Sequence, residues 1–207
     1  MSLHAVVAVK GTANGKDRLR SALSAEERQR LILTMLHDVL GALSSTRGIQ
    51  NISVLTRDHS FVPSGFGHID DVGCGLNFAV GHAAAVLARA GVRSMLVLPA
   101  DLPFATAADI EMLLQAGKQH PAVIAPDARG SGTNALLLSP PELVQPRFGP
   151  NSYSIHQAAI PMAGASLATV ARPGLAHDVD LPEDLETLAG KAGGRYAFLV
   201  AALKKAS

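Results

Sequence analysis

Three short stretches of the 207-residue chain carry the side chains from which a reaction can be built. The first is Lys10-Gly11-Thr12-Ala13-Asn14-Gly15-Lys16-Asp17-Arg18, three cations set among small residues. Glycines let backbone N–H groups close on an anion, and Lys10, Lys16 and Arg18 carry charge that suits a polyphosphate. The loop is not a Walker A motif, because Asp17 rather than Ser or Thr follows Gly15-Lys16, and the chain contains no G-x-G-x-x-G fingerprint. A solvated basic loop has the same composition, so the residues alone leave both readings open. The second is Asp101, just beyond the apolar run 94–99; a carboxylate there suits a hard cation, or serves a turn or cap. The third is Asp178-Val179-Asp180-Leu181-Pro182. In an extended segment Asp178 and Asp180 share one side while Val179 faces the core, and two carboxylates on one side repel unless a cation lies between them. Asp180 also fits the cap of a helix opening at Pro182, and the two roles are compatible. Magnesium suits such a set, because it takes a few carboxylates and leaves its other positions to water and phosphate. Phosphate-binding cations beside acidic metal ligands point to phosphoryl or nucleotidyl transfer.

The elements that must position these groups alternate. Residues 3–9 form a buried strand running into the basic loop, and 25–43 form a helix capped by Ser24, with Leu31, Met35, Val39 and Leu43 at helical spacing. Residues 49–56 make a second strand. Gly73 to Gly75 opens another helix, with Phe78, Ala79, Ala83, Val86 and Leu87 on one side. The strand at 94–99 leads to a helix from Thr106 through Leu114, then strands at 122–125 and 133–138 joined by the loop 127–132. Four prolines between 140 and 150 exclude a helix there. A helix from Ser152, a strand near 167–171, a helix at 182–188 and a basic-ended helix over 195–205 complete the chain. Strands alternating with helices in this way make an α/β fold with a mostly parallel sheet, whose ligands bind beyond the carboxyl ends of the strands.

Composition narrows the function. Eighteen Lys and Arg against 17 Asp and Glu leave a net charge of +1, which supplies no basic face for nucleic acid. Aromatics are only 4% of residues, against 48% hydrophobic, so the core is aliphatic and base-stacking platforms are lacking. The single cysteine, Cys74, excludes an internal disulfide and multi-cysteine zinc sites. No run reaches the roughly 18 apolar residues of a membrane span, and the N-terminus lacks a signal-peptide pattern, so a cytoplasmic protein with no membrane partner is expected.

Taken in order, V-A-V-K (7–10), K-D-R-L (16–19), D-V-G-C-G-L-N (71–77), P-A-D-L-P (99–103), G-T-N-A-L-L-L (132–138), F-G-P-N-S (148–152) with His156, and D-V-D-L-P-E-D-L (178–185) closely resemble one family. It comprises the 2-phospho-L-lactate, phosphoenolpyruvate and 3-phosphoglycerate guanylyltransferases of coenzyme F-420 biosynthesis. The resemblance implies a Rossmann-like nucleotidyltransferase three-layer sandwich, similar to molybdenum-cofactor guanylyltransferases, in a single domain over 1–207. It implies transfer of GMP from GTP to the phosphate of a small phosphorylated carboxylic acid, with release of pyrophosphate and a hand-off of product to a downstream transferase. By matching position, Asp101, Asp178 and Asp180 would hold magnesium. Lys10, Lys16 and Arg18 would face the triphosphate, with Lys16 among the catalytic groups, and Gly73, Gly75 and Asn77 would lie near the nucleotide. Thr133, Gly149 and Ser152 would bind the phosphorylated acid. His156 is a weaker candidate for the acceptor carboxylate, or a structural histidine, and His177 for orienting Asp178. Asn151 stands where the family often has Gly, and Asn tolerates the left-handed backbone region. The alternatives are a molybdopterin guanylyl- or cytidylyltransferase and, from another class, an inactive nucleotide-binding partner protein.

Overall fold

The computed structural model describes residues 2–9, 16–191 and 193–206. A seven-stranded sheet runs in the order β3-β2-β1-β4-β6-β5-β7. Its strands are β1 (Leu3–Ala8), β2 (Asn51–Thr56), β3 (Gly67–Asp70), β4 (Ser94–Pro99), β5 (Ala122–Pro126), β6 (Thr133–Leu138) and β7 (Leu167–Thr169). The pairs β1–β2, β1–β4, β2–β3 and β5–β7 are parallel, while β6 runs antiparallel to both β4 and β5. The sheet is therefore mostly parallel, as the alternating pattern requires.

Strands β1, β4, β5 and β6 are buried along nearly their whole length because both faces of the sheet are covered there. On one face Ala5, Val7, Leu96 and Leu98 pack with Leu36, Val39, Leu40 and Leu43 of α1 (Ala25–Ser44) and with Ile110 and Leu113 of α3 (Ala107–Ala116). Their sequence neighbours Val6, Met95 and Val97 turn to the other face, under Ala79, Val80, Ala83 and Leu87 of α2 (Leu76–Arg89). Further along that face, Ile160 of α4 (Ser152–Met162) covers Ala122, Ile124, Leu136 and Leu138. Each fully buried Val, Leu, Ile or Met side chain among them is worth about 1.5–3 kcal/mol of transfer free energy. Both α1 and α3 start with capping boxes, Ser24 with Glu27 and Thr106 with Asp109. A third cluster joins Leu31 and Met35 of α1 to Val179 and to the C-terminal helices α6 (Pro182–Lys191) and α7 (Ala197–Ala206).

Three features depart from the sequence pattern. Phe78 is 59% exposed and Val86 37%, whereas Ala79, Ala83 and Leu87 are buried. At about 100° per residue Phe78 lies opposite the stripe that Ala83 and Leu87 define, and Val86 falls at its margin. β3 carries no apolar run of its own; its four residues become a strand only by pairing Ser53 with Gly67 through Thr56 with Asp70. The one-turn α5 (Pro173–Ala176) forms where Gly174 packs so closely on Phe104 and Asp109 that a side chain there would collide with both.

Candidate active site

Strand register decides which residues meet. Ala8 aligns with Leu55 and with Pro99, and Thr56 aligns with Asp70, so β1, β2, β3 and β4 end along one rim. Because β6 runs antiparallel, its first residues, Thr133 and Asn134, come to that same rim beside the end of β4. The turn 71–75, Asp101 and the start of β6 thus line one edge. The segment 178–180 joins them: Val179 N donates to Asp101 O at 3.2 Å while the Val179 side chain is buried in the C-terminal cluster. The alternation expected for Asp178-Val179-Asp180 is the one observed.

Lys16 lies at the centre of the acidic group. Its Nζ donates to Asp180 Oδ1 at 2.6 Å and also to Asp101 Oδ2, and its side chain is only 10% exposed. The residue has a left-handed backbone, φ 59° and ψ 41°, leading into a 3₁₀ turn over Asp17–Leu19. That conformation is uncommon for a lysine. Burial pulls the Lys16 pKa down, but the Asp101 and Asp180 carboxylates more than offset it, and the net direction is up. Asp178 moves upward from the usual carboxylate range because it is desolvated and because Asp101 and then Asp180 repel its charge. Asn134 restrains it, its Nδ2 standing 2.9 Å from Leu175 O and 3.5 Å from Asp178 Oδ1. Asp180 does not need to cap α6, since Asp184 Oδ2 accepts from both Asp180 N and Leu181 N, at 2.8 and 2.7 Å.

A hard divalent cation fits this donor set. Asp101 Oδ1 is buried with no hydrogen-bond partner among the described residues, an orphaned acceptor beside two further carboxylates. Among the described residues no three acidic, His or Cys side chains are gathered as a ready-made metal cluster, and the Lys16 ammonium stands between Asp101 and Asp180. A cation entering there has to move it. A cavity of about 580 Å³ lies elsewhere, lined by Asp38, Phe104, Thr106 and Tyr196 and by none of these carboxylates.

Thr133, Gly149 and Ser152, the residues expected to bind the acid, form a second cluster with His156. Thr133 Oγ1 lies 3.0 Å from His156 Nδ1, and Arg147 N donates to His156 Nε2 at 3.0 Å. His156 is fully buried, which lowers its pKa from the usual 6.5 to about 4, and it meets the Phe148 ring edge-on. Ser152, 1% exposed, opens α4 and donates its N–H to Gly149 O at 3.1 Å. Gly149 has φ 120°, and Asn151 adopts φ 59°, the left-handed turn that Asn tolerates in place of Gly.

Of the residues expected near the nucleotide, Gly73 and Gly75 have φ of 91° and 93°, and Gly75 leads into α2. A Cβ on Gly73 would lie 2.7 Å from Arg57 Nη2. The Asn77 side chain turns away from this stretch, for its amide bonds to Phe148. Arg18 is exposed, and Asp17 pairs with Arg20 at 2.9 Å. Lys10 lies outside the described residues. Cys74 is exposed.

Residues 3–199 match the family described as guanylyl transferase CofC-like. The chain belongs to that family. Among its relatives are the phosphoenolpyruvate guanylyltransferases of Sphaerobacter thermophilus, 35% identical over 93% of this chain and 95% of the relative, and of Rubrobacter xylanophilus, 37% identical over 95% and 98%. The fold is shared more widely. A Desulfovibrio desulfuricans protein described as a nucleotide-diphospho-sugar transferase superposes with a TM-score of 0.80 at 16% identity, covering 100% of this chain and 99% of that one. A CMP:2-keto-3-deoxy-manno-octonic acid synthetase complexed with CTP superposes at 0.60 and 15%, covering 97% and 99%.

In this CofC-like chain the structure adds residues that the sequence pattern passed over. Asn134 sits within the G-T-N motif but shows its contact to Asp178 only once β6 is placed beside 175–178. Arg57, at the end of β2, covers the Gly73 turn and stands 3.9 Å from Asp71, and no motif marks it. Asp184 was legible as an acid in the first turn of α6, though not as the acceptor that ties down the 180–181 backbone.

Proposed function

We propose that this chain transfers GMP from GTP to the phosphate of a small phosphorylated carboxylic acid, releasing pyrophosphate, as a step of coenzyme F-420 biosynthesis. Phosphoenolpyruvate, the acid named in the relatives, is the leading acceptor. The reading is carried by one observation: Lys16, Asp101, Asp178 and Asp180, from three separate segments, gather at the rim where Thr133 also sits.

In this reaction an oxygen of the acceptor phosphate attacks the α-phosphorus of GTP, the bond to the β-phosphate oxygen breaks, and pyrophosphate leaves in line. A phosphate dianion is already nucleophilic, so the protein supplies alignment and charge rather than a general base. Thr133, Gly149 and Ser152 hold the acid, and the first turn of α4 favours its negative charge. Lys16 supplies positive charge to the phosphates, and Arg18 and Lys10 are the further cations that the family resemblance assigns to them. Asp101, Asp178 and Asp180 are the residues that would hold magnesium, which when bound neutralises phosphate charge. Gly73 and Gly75 leave room beside the nucleotide. Substrates of this kind suit a cytoplasmic enzyme, and the anhydride product suits direct passage to a downstream transferase.

The test is purified protein with GTP and magnesium, offered phosphoenolpyruvate, 2-phospho-L-lactate and 3-phosphoglycerate in turn, with pyrophosphate and product mass followed. A GMP adduct of one acid is expected. Tight GTP binding with no pyrophosphate from any of the three overturns the reading and leaves a nucleotide-binding protein.

A further inference from the structure

Two side chains from different helices brace the proposed acceptor loop. The Asn77 amide bonds both backbone groups of Phe148: Phe148 N donates to Oδ1 at 2.6 Å, and Nδ2 donates to Phe148 O at 3.0 Å. One residue earlier, Arg147 N donates to His156 Nε2 at 3.0 Å. An amide N–H can only donate, so Nε2 carries no hydrogen, and in the neutral ring the proton sits on Nδ1. Nδ1–H then donates to Thr133 Oγ1. That uses a lone pair of the hydroxyl and leaves its own proton without an acceptor among the described residues, available to an anion at the rim. Both braces end at the backbone just before Gly149 and Ser152.

We propose that Asn77 and His156 are positioning residues for the acceptor acid: Asn77 sets the 148–149 backbone, and His156 turns the Thr133 hydroxyl so that its proton meets the acid. The assignment rests on the acceptor reading of Thr133, Gly149 and Ser152 given above. It moves Asn77 from the nucleotide to the acid, although its sequence neighbours Gly73 and Gly75 are expected near the nucleotide. It also gives His156 a role as a neutral hydrogen-bond relay rather than as a cation for the acceptor carboxylate. The buried ring, with its lowered pKa, is suited to staying neutral where the acid binds.

Two measurements test this. In two-substrate kinetics with GTP and phosphoenolpyruvate, Asn77→Ala and His156→Ala should each raise the KM of the acid by on the order of tenfold while leaving that of GTP within about twofold. His156→Gln, whose side-chain oxygen can still accept from Arg147 N, should recover part of the loss. Nitrogen-15 NMR of the His156 ring should report the neutral Nδ1–H tautomer from pH 5.5 to 8. A rise confined to the KM of GTP, or a fall in kcat with both KM values unchanged, overturns the assignment, as does an Nε2–H or protonated ring. If the wild-type protein transfers GMP to none of the acids, the acceptor reading and this inference fall together. If it is active and the variants shift GTP instead, only the inference falls.

Discussion

Lys16 Nζ donates to Asp180 Oδ1 at 2.6 Å across 164 residues of sequence, and the same ammonium reaches Asp101. One cation from the basic loop therefore bridges carboxylates from two other segments, in the space where a divalent ion would be shared. The Lys16 pKa is raised, so its stabilising contribution is present below about 10.5 and is lost only as pH climbs through the raised value.

Replacing Lys16 by Met should therefore loosen the nucleotide-free protein and sharpen its response to divalent ions. Without the ammonium, Asp101, Asp178 and Asp180 repel one another unrelieved. The Tm of Lys16→Met should fall by a few degrees, and magnesium alone should raise it by more than it raises the wild type. Equal magnesium shifts in a thermal melt would argue that Lys16 does not occupy the ion's place.

Asp178 gives a prediction of opposite sign. Its folded-state pKa lies above the usual carboxylate value, so the fold prefers it protonated, and stability falls as pH rises from about 3.8 through that raised value. Asp178→Asn removes this penalty. The variant should melt a few degrees above wild type at pH 7 without magnesium, yet lose about 10²-fold or more in turnover. Asp101→Ala should lose activity on the same scale. Near-normal turnover of either variant at saturating magnesium would remove that residue from the metal site.

His156 predicts acid sensitivity. A histidine that titrates near 4 when folded and 6.5 when unfolded favours the neutral folded form, so stability falls as pH drops from 6.5 towards 4. At about 1.4 kcal/mol per unit the full loss is about 3 kcal/mol. Urea unfolding at pH 4, 5.5 and 7 should show this slope in wild type. His156→Gln should lack it; an unchanged slope would assign the acid sensitivity to other groups.

Ser152 tests the acceptor site independently of the two braces. The residue is buried at the first turn of α4, against Gly149. Ser152→Ala should raise the KM of phosphoenolpyruvate by on the order of tenfold and leave that of GTP unchanged. Steady-state kinetics with each substrate varied in turn decide it, and an equal rise for both would place Ser152 away from the acid.

Much of the fold was legible because it depends on local pattern. Uninterrupted apolar runs such as Ser94–Pro99 can be buried only in a sheet covered on both faces, and Ser24 with Glu27 marks a helix start whatever lies around it. The Asp178-Val179-Asp180 alternation follows from the two-residue period of extended chain. β3 was not legible, since Gly67–Asp70 is a strand by virtue of its neighbour β2. The outward face of Phe78 depends on which side of α2 meets the sheet.

The amino-acid sequence by itself determined the alternating α/β order, the buried strands, the motifs and hence the family, because period, capping and residue type are properties of short segments. The tertiary structure alone decided that β6 runs antiparallel and so carries Thr133 and Asn134 to the rim that Asp101 occupies. It decided that Lys16 faces Asp101 and Asp180, and that the Asn77 amide bonds the Phe148 backbone 71 residues away. Contacts of that kind are made between segments distant in sequence, and no local preference encodes them; they exist only once the sheet has fixed where each segment ends.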